Sequence, residues 1–571
     1  MTSAAVSTVS EFPRRFVAPD DRFTNWGAAE PYYQALLTRP VNTAAELERW
    51  LMDWSEVDSI FEEEGTDRYI RMTCDTTDAE RERMYLDFVE NIKPKREPIT
   101  HKLDEKLVDL ARRFDLPQRR YEVLMRSARN SVALFRDENI PLYTEDDKLR
   151  QQYQKICAAM TVKYDGQEMT LQQVARYLEE PDRSVREVTW RLAADRFLAD
   201  GDALDGLYDQ MVRLRTRIAR NADCRNYQEF AFKAMERFDY TPDDCARFHD
   251  TIESVIVPAV GQILKERREA LKLDALRPWD LSVDPHGRVP LRPFNTDAEL
   301  SRGCQEIFNR VEPELGAVYA TMAERGMLDL ASRKGKAPGG YQANYDERRI
   351  PFIFMNAVGT EGDVRTLLHE GGHAFHTWAC RNDTFLSYRH YPTEFAEVAS
   401  MGMECLALPH LETFYGPETN RARKRFFEEI LLFFPWMARV DAFQHHVYTH
   451  TDLTPEQRKD HWQQLTRRYS RSVDWSGLEA YDRRSWHRKL HFFEVPFYYV
   501  EYGIAQLGAL QVWLNSKRDF RAAVAAYRHG LALGGSRPLP ELFEAAGCRF
   551  DFSEKTVRPL IQAVMEELAG L

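Results

Sequence analysis

The segment Leu367 to His376, LLHEGGHAFH, constrains this chain more than any other. In a helix, His369 and His373 lie one turn apart on one face, and Glu370 sits beside them. Two imidazoles at that spacing can grip one cation, while a carboxylate that is not a ligand takes a proton from water at the cation's open side. This is the H-E-x-x-H arrangement of a zinc hydrolase. Thr360 and Asp363 are candidate caps, and Val364, Leu367, Leu368, Phe375 and Trp378 form the apolar stripe of a helix running to about Cys380. A core helix with two satisfied histidines is the competing reading, and a Glu in register with both counts against it. Gly371 and Gly372 each cost a helix interior about 1 kcal/mol relative to Ala. The pair makes sense where another backbone or a substrate must come close.

A zinc hydrolase needs a third protein ligand and an open position for water. The metzincin pattern fails here, because His376 stands where its Gly should be and Ala379 where its last His should be. After a turn around Tyr391 and Pro392, Thr393 can cap a second helix, TEFAEVASMGMECLAL, carrying Glu394, Glu397 and Glu404. Glu397 and Glu404 are seven residues apart and share a face, so one can bind metal while the other orients a ligand histidine. Spacing alone leaves Glu394 as a rival, although an acidic residue suits the first turn of any helix.

Four stretches, APGGY (Ala337 to Tyr341), PFIFMN (Pro351 to Asn356), DVRTLLHEGGHAFH (Asp363 to His376) and TEFAEVASMGMECL (Thr393 to Leu406), follow one another in the order of a known family. The chain resembles the oligoendopeptidase F branch of the thimet oligopeptidase family of zinc metallopeptidases. That resemblance implies one Zn2+ per chain on His369, His373 and Glu397, with Glu404 supporting a ligand histidine. It also implies that Gly339, Gly340 and Tyr341 touch substrate. It covers most of the chain from about Asn226 onward, where NYQEFAFKAMERFDYT is again similar, and the earlier helices more loosely. The implied fold is mainly α, a two-lobed, gluzincin-like helical metallopeptidase. A small edge β-sheet would lie beside the zinc helix, and a deep channel would admit only short unfolded peptides.

Along the chain, helical signals dominate. Thr43 and Glu46 form a capping box ahead of Leu47, Trp50, Leu51, Trp54 and Phe61. The basic run Arg213, Arg215, Arg217, Arg220 reads as a solvated helix face. The stretch Leu276 to Asn295, with four prolines, breaks the helical pattern and is a candidate crossing between two halves. The expected division is an N-terminal helical region over 1–205 and a catalytic region over 206–571. Arg349 to Met355 reads as a strand, at an edge because of Pro351, where a peptide could pair its backbone.

Hydrolysing an amide puts negative charge on the carbonyl oxygen, and a Tyr hydroxyl or His N–H aimed there lowers the barrier. In HFFEVPFYYVEYG (His491 to Gly503), Tyr498 and Tyr502 are one helical turn apart, with Tyr499 as the alternative neighbour. Such a cluster is ordinarily core. The resemblance instead places a His and several Tyr over the metal, which assigns His491, Tyr498 and Tyr502 to the oxyanion and Tyr499 to the substrate. The choice among the three tyrosines stays open.

A formal net charge of −12 argues against nucleic acid or an anionic membrane as a bulk partner. Eight scattered cysteines without a C-x-x-C pair suit free thiols, the N-terminus does not read as a leader, and no apolar run reaches membrane-spanning length. The expected location is the cytoplasm. The expected activity is cleavage of internal bonds in short peptides, with Glu370 as general base. The alternatives are a zinc carboxypeptidase or peptidyl-dipeptidase on the same ligands, or a silent peptide-binding scaffold, against which the intact Glu370 argues.

Overall fold

A computed structural model describes residues 11–571, so Met1 to Ser10, most of the stretch read for a leader, lies outside the described residues. Helix accounts for 71% of the structure and strand for 4%, which makes the chain mainly α with small sheets. Among the described residues no helix is long and apolar enough to cross a membrane. None of the eight cysteines, all among the described residues, is in a disulfide.

The chain forms two compact units, each assembled from three separated segments. The first comprises Met1–Ala133, Arg292–Thr419 and Gly508–Phe550; the second comprises Leu134–Leu291, Asn420–Leu507 and Asp551–Leu571. The sequence placed a border at 205/206, but helix Gly201–Asn221 runs through that position without a break. The passage from the second unit to the first at Leu291/Arg292 falls inside the proline-rich stretch.

In the first unit, helix Ala44–Cys74 starts where Thr43 Oγ1 accepts the Glu46 N–H at 3.2 Å. The Glu46 carboxylate reaches back to the Asn42 N–H at 2.7 Å, one residue beyond a strict capping box. Its apolar face buries Leu47, Trp50, Trp54 and Phe61 against Leu103 and Leu107. A three-stranded sheet follows, in the order Leu328–Ala331, Ile350–Ala357, Tyr341–Tyr345. The Pro351 strand is therefore central, not the edge that the proline suggested. The Ile353 N–H donates to Met327 O at 3.0 Å. Pro351, two residues earlier, turns its nitrogen to the same side, before the pairing with Leu328–Ala331 begins. No ladder bond is lost, and Tyr341–Tyr345 is the edge strand.

In the second unit, Arg213, Arg217 and Arg220 are exposed, but Arg215 is fully buried, which corrects the reading of that run as one solvated face. Its guanidinium is held by Asp146 at 3.0 Å, the Tyr448 hydroxyl at 2.8 Å and the Phe492 carbonyl at 3.0 Å. A buried cation needs such partners, and these tie together three separate segments of the unit.

Candidate metal centre

The motif helix Glu361–Cys380 starts on a capping box. Thr360 Oγ1 accepts the Asp363 N–H at 3.3 Å, and the Asp363 carboxylate accepts the Thr360 N–H at 2.8 Å. The second helix spans Thr393–Ala407, with Pro392 at the cap position in place of Thr393. The two helices touch at the glycine pair. A Cβ on Gly372 would stand 2.4 Å from the Ala399 carbonyl oxygen and 2.6 Å from Ser400 Cα, and one on Gly371 would stand 2.5 Å from the Phe308 ring. Backbone meets backbone at Gly372, and this approach sets Glu397 beside both histidines.

Glu397 Oε2 lies 3.3 Å from His369 Nε2 and 3.7 Å from His373 Nε2. One donor atom from each of His369, His373 and Glu397 lies within 4.8 Å of the others. Zinc bonds of about 2.0 to 2.2 Å in tetrahedral geometry put neighbouring donors roughly 3.3 Å apart, so this N, N, O set fits that ion. Glu394, one turn earlier on the helix, is buried outside this group.

Glu404 fixes the tautomer. His369 Nδ1 donates to Glu404 Oε1 at 2.7 Å, and Arg365 Nε donates to Glu404 Oε2 at 2.5 Å. His369 therefore keeps its Nδ1 proton and turns Nε2 toward Glu397. Burial opposes charge on His369, but its bonds to Glu397 and Glu404 outweigh that and raise its pKa well above the ordinary value. The site thus favours a positive charge at Nε2, and a metal cation meets the same field. Burial, with the His369 charge, pushes His373 down to about 4, leaving the neutral imidazole that a ligand must be. Burial would raise Glu397, but His369 and His373 hold it at about 2. The Ser400 hydroxyl donates to Glu397 Oε2 at 2.9 Å.

Glu370 is buried beside these three side chains. Burial first, then the charges of Glu397 and Glu404, lift it to about 7 against the pull of His369 and a bond from the Gln342 N–H. A carboxyl poised there can both accept and release a proton at neutral pH. Gln342 belongs to the edge strand, so that strand runs alongside Glu370.

Gly339, Gly340 and Tyr341 lead into the same strand. Gly339 has a φ of +95°, and its carbonyl accepts from Asn356 Nδ2 at 2.9 Å. A Cβ on Gly340 would meet Thr366 of the motif helix at 3.2 Å. The Tyr341 ring stacks on Phe354 at 4.8 Å, and its hydroxyl shares a 2.6 Å bond with Thr73. That side chain is engaged in packing, and the Tyr341 backbone pairs with Phe354 in the sheet, so the outward-facing backbone groups of the edge strand are those of Gln342 and Asn344.

His491, Tyr498, Tyr499 and Tyr502 all belong to the second unit and form one aromatic cluster. The His491 ring is 4.9 Å from Tyr499, 6.1 Å from Tyr498 and 6.3 Å from Tyr502. Tyr499 is buried and its hydroxyl accepts from Trp436 Nε1 at 3.1 Å, whereas Tyr498 and Tyr502 are half-buried. Burial and the Lys489 charge push His491 down to about 4, so its ring is neutral at pH 7.

Three residues of the site were not singled out from the sequence. Arg365 stands one turn before His369 and Ser400 three residues after Glu397, so helical spacing held a signal for both. Gln342 acts through its backbone and left none.

Residues 176–560 match peptidase family M3, and residues 22–135 match the M3 N-terminal domain. The chain belongs to peptidase family M3. Among its relatives is the oligoendopeptidase F homolog of Mycoplasma pneumoniae, 24% identical over 68% of this chain and 66% of that protein. Oligopeptidase PepF of Bacillus subtilis is 24% identical over 51% of this chain, and the chain spans 43% of it, less than half its length. The fold is similar to that of Pz peptidase A, solved with an inhibitor, at a TM-score of 0.86 and 27% identity over 98% of this chain and 99% of that one. Together these place it in the oligoendopeptidase F branch.

Proposed function

We propose that this chain is a zinc-dependent endopeptidase that hydrolyses internal bonds of short, unfolded oligopeptides. The observation that carries the reading is the convergence of His369, His373 and Glu397, with the Glu370 carboxyl buried beside them. His369, His373 and Glu397 would hold the ion. When bound, zinc supplies Lewis acidity that acidifies water and polarises a carbonyl. Glu370 takes the proton of the attacking water on a carboxylate oxygen and delivers it to the leaving amine. Glu404 keeps the His369 imidazole oriented, and the edge strand Tyr341–Tyr345 offers backbone groups to an extended peptide next to Glu370. The assignment of the oxyanion to Tyr498 or Tyr502, with His491, rests on the family resemblance.

The test is Glu370→Gln, which removes the base and keeps the ligands. Zinc content should stay at the wild-type level while peptide turnover falls by roughly a thousandfold or more. A Glu370→Gln enzyme that still turns over peptide would reject the role. Equal cleavage of a C-terminally amidated peptide and its free acid is expected of an endopeptidase, and a demand for the free carboxylate would favour the carboxypeptidase alternative.

A further inference from the structure

We propose a second metal site in the second unit, a closed Cys–His–Asp–His centre for a zinc-type divalent ion, built from Cys245, His249, Asp441 and His445. Cys245 and His249 stand one turn apart on helix Pro242–Thr251, and Asp441 and His445 one turn apart on helix Thr419–Thr449. Each helix thus presents a pair of donors on one face, the device that presents His369 and His373 on the motif helix. One donor atom from each of Cys245, Asp441 and His445 lies within 4.8 Å of the others. His249 stands just outside that group and would close on the ion as the fourth donor: its Nε2 is 2.9 Å from Asp441 Oδ2, and His445 Nε2 is 3.1 Å from the same oxygen. At the first site, two Nε2 atoms likewise flank one carboxylate oxygen, at 3.3 and 3.7 Å.

The surroundings fit a structural ion. Cys245 is 1% exposed, His249 4% and Asp441 0%, and His445 is half-buried, so four protein donors would fill the sphere. A thiolate and a carboxylate balance a divalent charge while both imidazoles stay neutral, which removes net charge from a buried place. The outer partners orient the donors. Gln444 Nε2 donates to Asp441 Oδ1 at 3.0 Å while Gln444 Oε1 accepts the Phe497 N–H at 2.7 Å, which fixes the amide and leaves Asp441 Oδ2 for the ion. Gln228 Nε2 faces His445 Nδ1 at 2.6 Å; metal on His445 Nε2 requires this amide to turn over, so that its oxygen accepts the Nδ1 proton. Phe497 has a φ of +70°, a conformation that a bulky residue holds only when its surroundings impose it. Through Gln444, a loaded site braces that strained residue immediately before Tyr498.

The test is metal content and a cobalt spectrum on the full chain. Zinc per chain in the desalted wild type should be two, falling to one in His373→Ala and to one in Cys245→Ser. After exchange with cobalt(II), a thiolate-to-cobalt charge-transfer band should appear in the wild type, persist in His373→Ala and vanish in Cys245→Ser. The catalytic ligands include no thiol, so the band reports the second site alone and a failed peptidase reading would leave it untouched. A wild-type chain that holds one zinc, loses it in His373→Ala and shows no charge-transfer band overturns the proposal, whether or not Cys245→Ser folds.

Discussion

Gly372→Ala tests whether the contact between the two site helices sets the metal geometry. An added Cβ would stand 2.4 Å from the Ala399 carbonyl oxygen, and ordinary contact begins at 3.4 Å, so one helix must retreat by about 1 Å. The obstacle is backbone, with Ser400 Cα at 2.6 Å as well, and no side-chain rotation relieves it. Overpacking of this kind costs about 1 to 3 kcal/mol, while Ala in place of Gly returns about 1 kcal/mol of helix propensity. The net loss of stability is therefore small, about 0 to 2 kcal/mol. Zinc affinity responds more sharply. The distances from Glu397 Oε2 to the two Nε2 atoms, 3.3 and 3.7 Å, already meet or exceed the tetrahedral edge, and separating the helices widens both. Displacing a ligand or its support typically weakens binding by 10- to 100-fold. Competition against a zinc-chelating indicator reads that loss, and circular dichroism melts confirm that the variant is folded. Gly371→Ala is the control, because its neighbour is the Phe308 ring of another helix and not the backbone of the Glu397 helix. A folded Gly372→Ala chain that binds zinc within threefold of wild type would refute the reasoning.

Three further outcomes follow from the same geometry. Glu404→Gln keeps the volume but removes the charge that holds His369 Nδ1 and Arg365, and zinc affinity should fall by roughly 10- to 100-fold in the same competition assay; an unchanged affinity would exclude the orienting role. Burial opposes charge on Asp329, but Arg333 and Lys336 hold its pKa at about 2, below the ordinary aspartate range. A depressed carboxylate stabilises above its unfolded pKa and loses that contribution as pH falls through its folded one. Asp329→Asn should therefore cost roughly 2 kcal/mol at pH 7 and converge with wild type near pH 2 in denaturant melts; a pH-independent difference would contradict this. Because the Tyr499 hydroxyl is bonded to Trp436, Tyr499→Phe should cost about 1 kcal/mol of stability and little turnover. Tyr498→Phe or Tyr502→Phe should lower kcat by roughly 100-fold or more, and a reversed ranking would move the oxyanion role to Tyr499.

What could be read from the sequence was whatever depends on neighbours along one helix. The Thr360 cap, the stripe through Trp378 and the spacing of His369, Glu370 and His373 all follow from a 3.6-residue period, and the structure places them accordingly. The glycine pair announced a close approach without naming its partner, because Phe308 and Ala399 come from other helices. Pro351 misled for a related reason. A proline is costly in a sheet only where its missing N–H faces a neighbour, and the neighbour on that side begins two residues too late to need it. In the basic run, Arg213, Arg217 and Arg220 share one helical face and Arg215 lies opposite; the period was there to separate them, but its buried partners Asp146 and Tyr448 were not. The unit borders were equally hidden, since each unit draws on three segments joined only by contacts far apart in sequence. The same limit applies to Cys245, His249, Asp441 and His445. Each pair has the i, i+4 spacing that marked the motif helix, yet His249 and Asp441 are 192 residues apart. Periodicity says which side chains share a face; which face meets which is decided by packing, and a site built from two helices becomes legible only there.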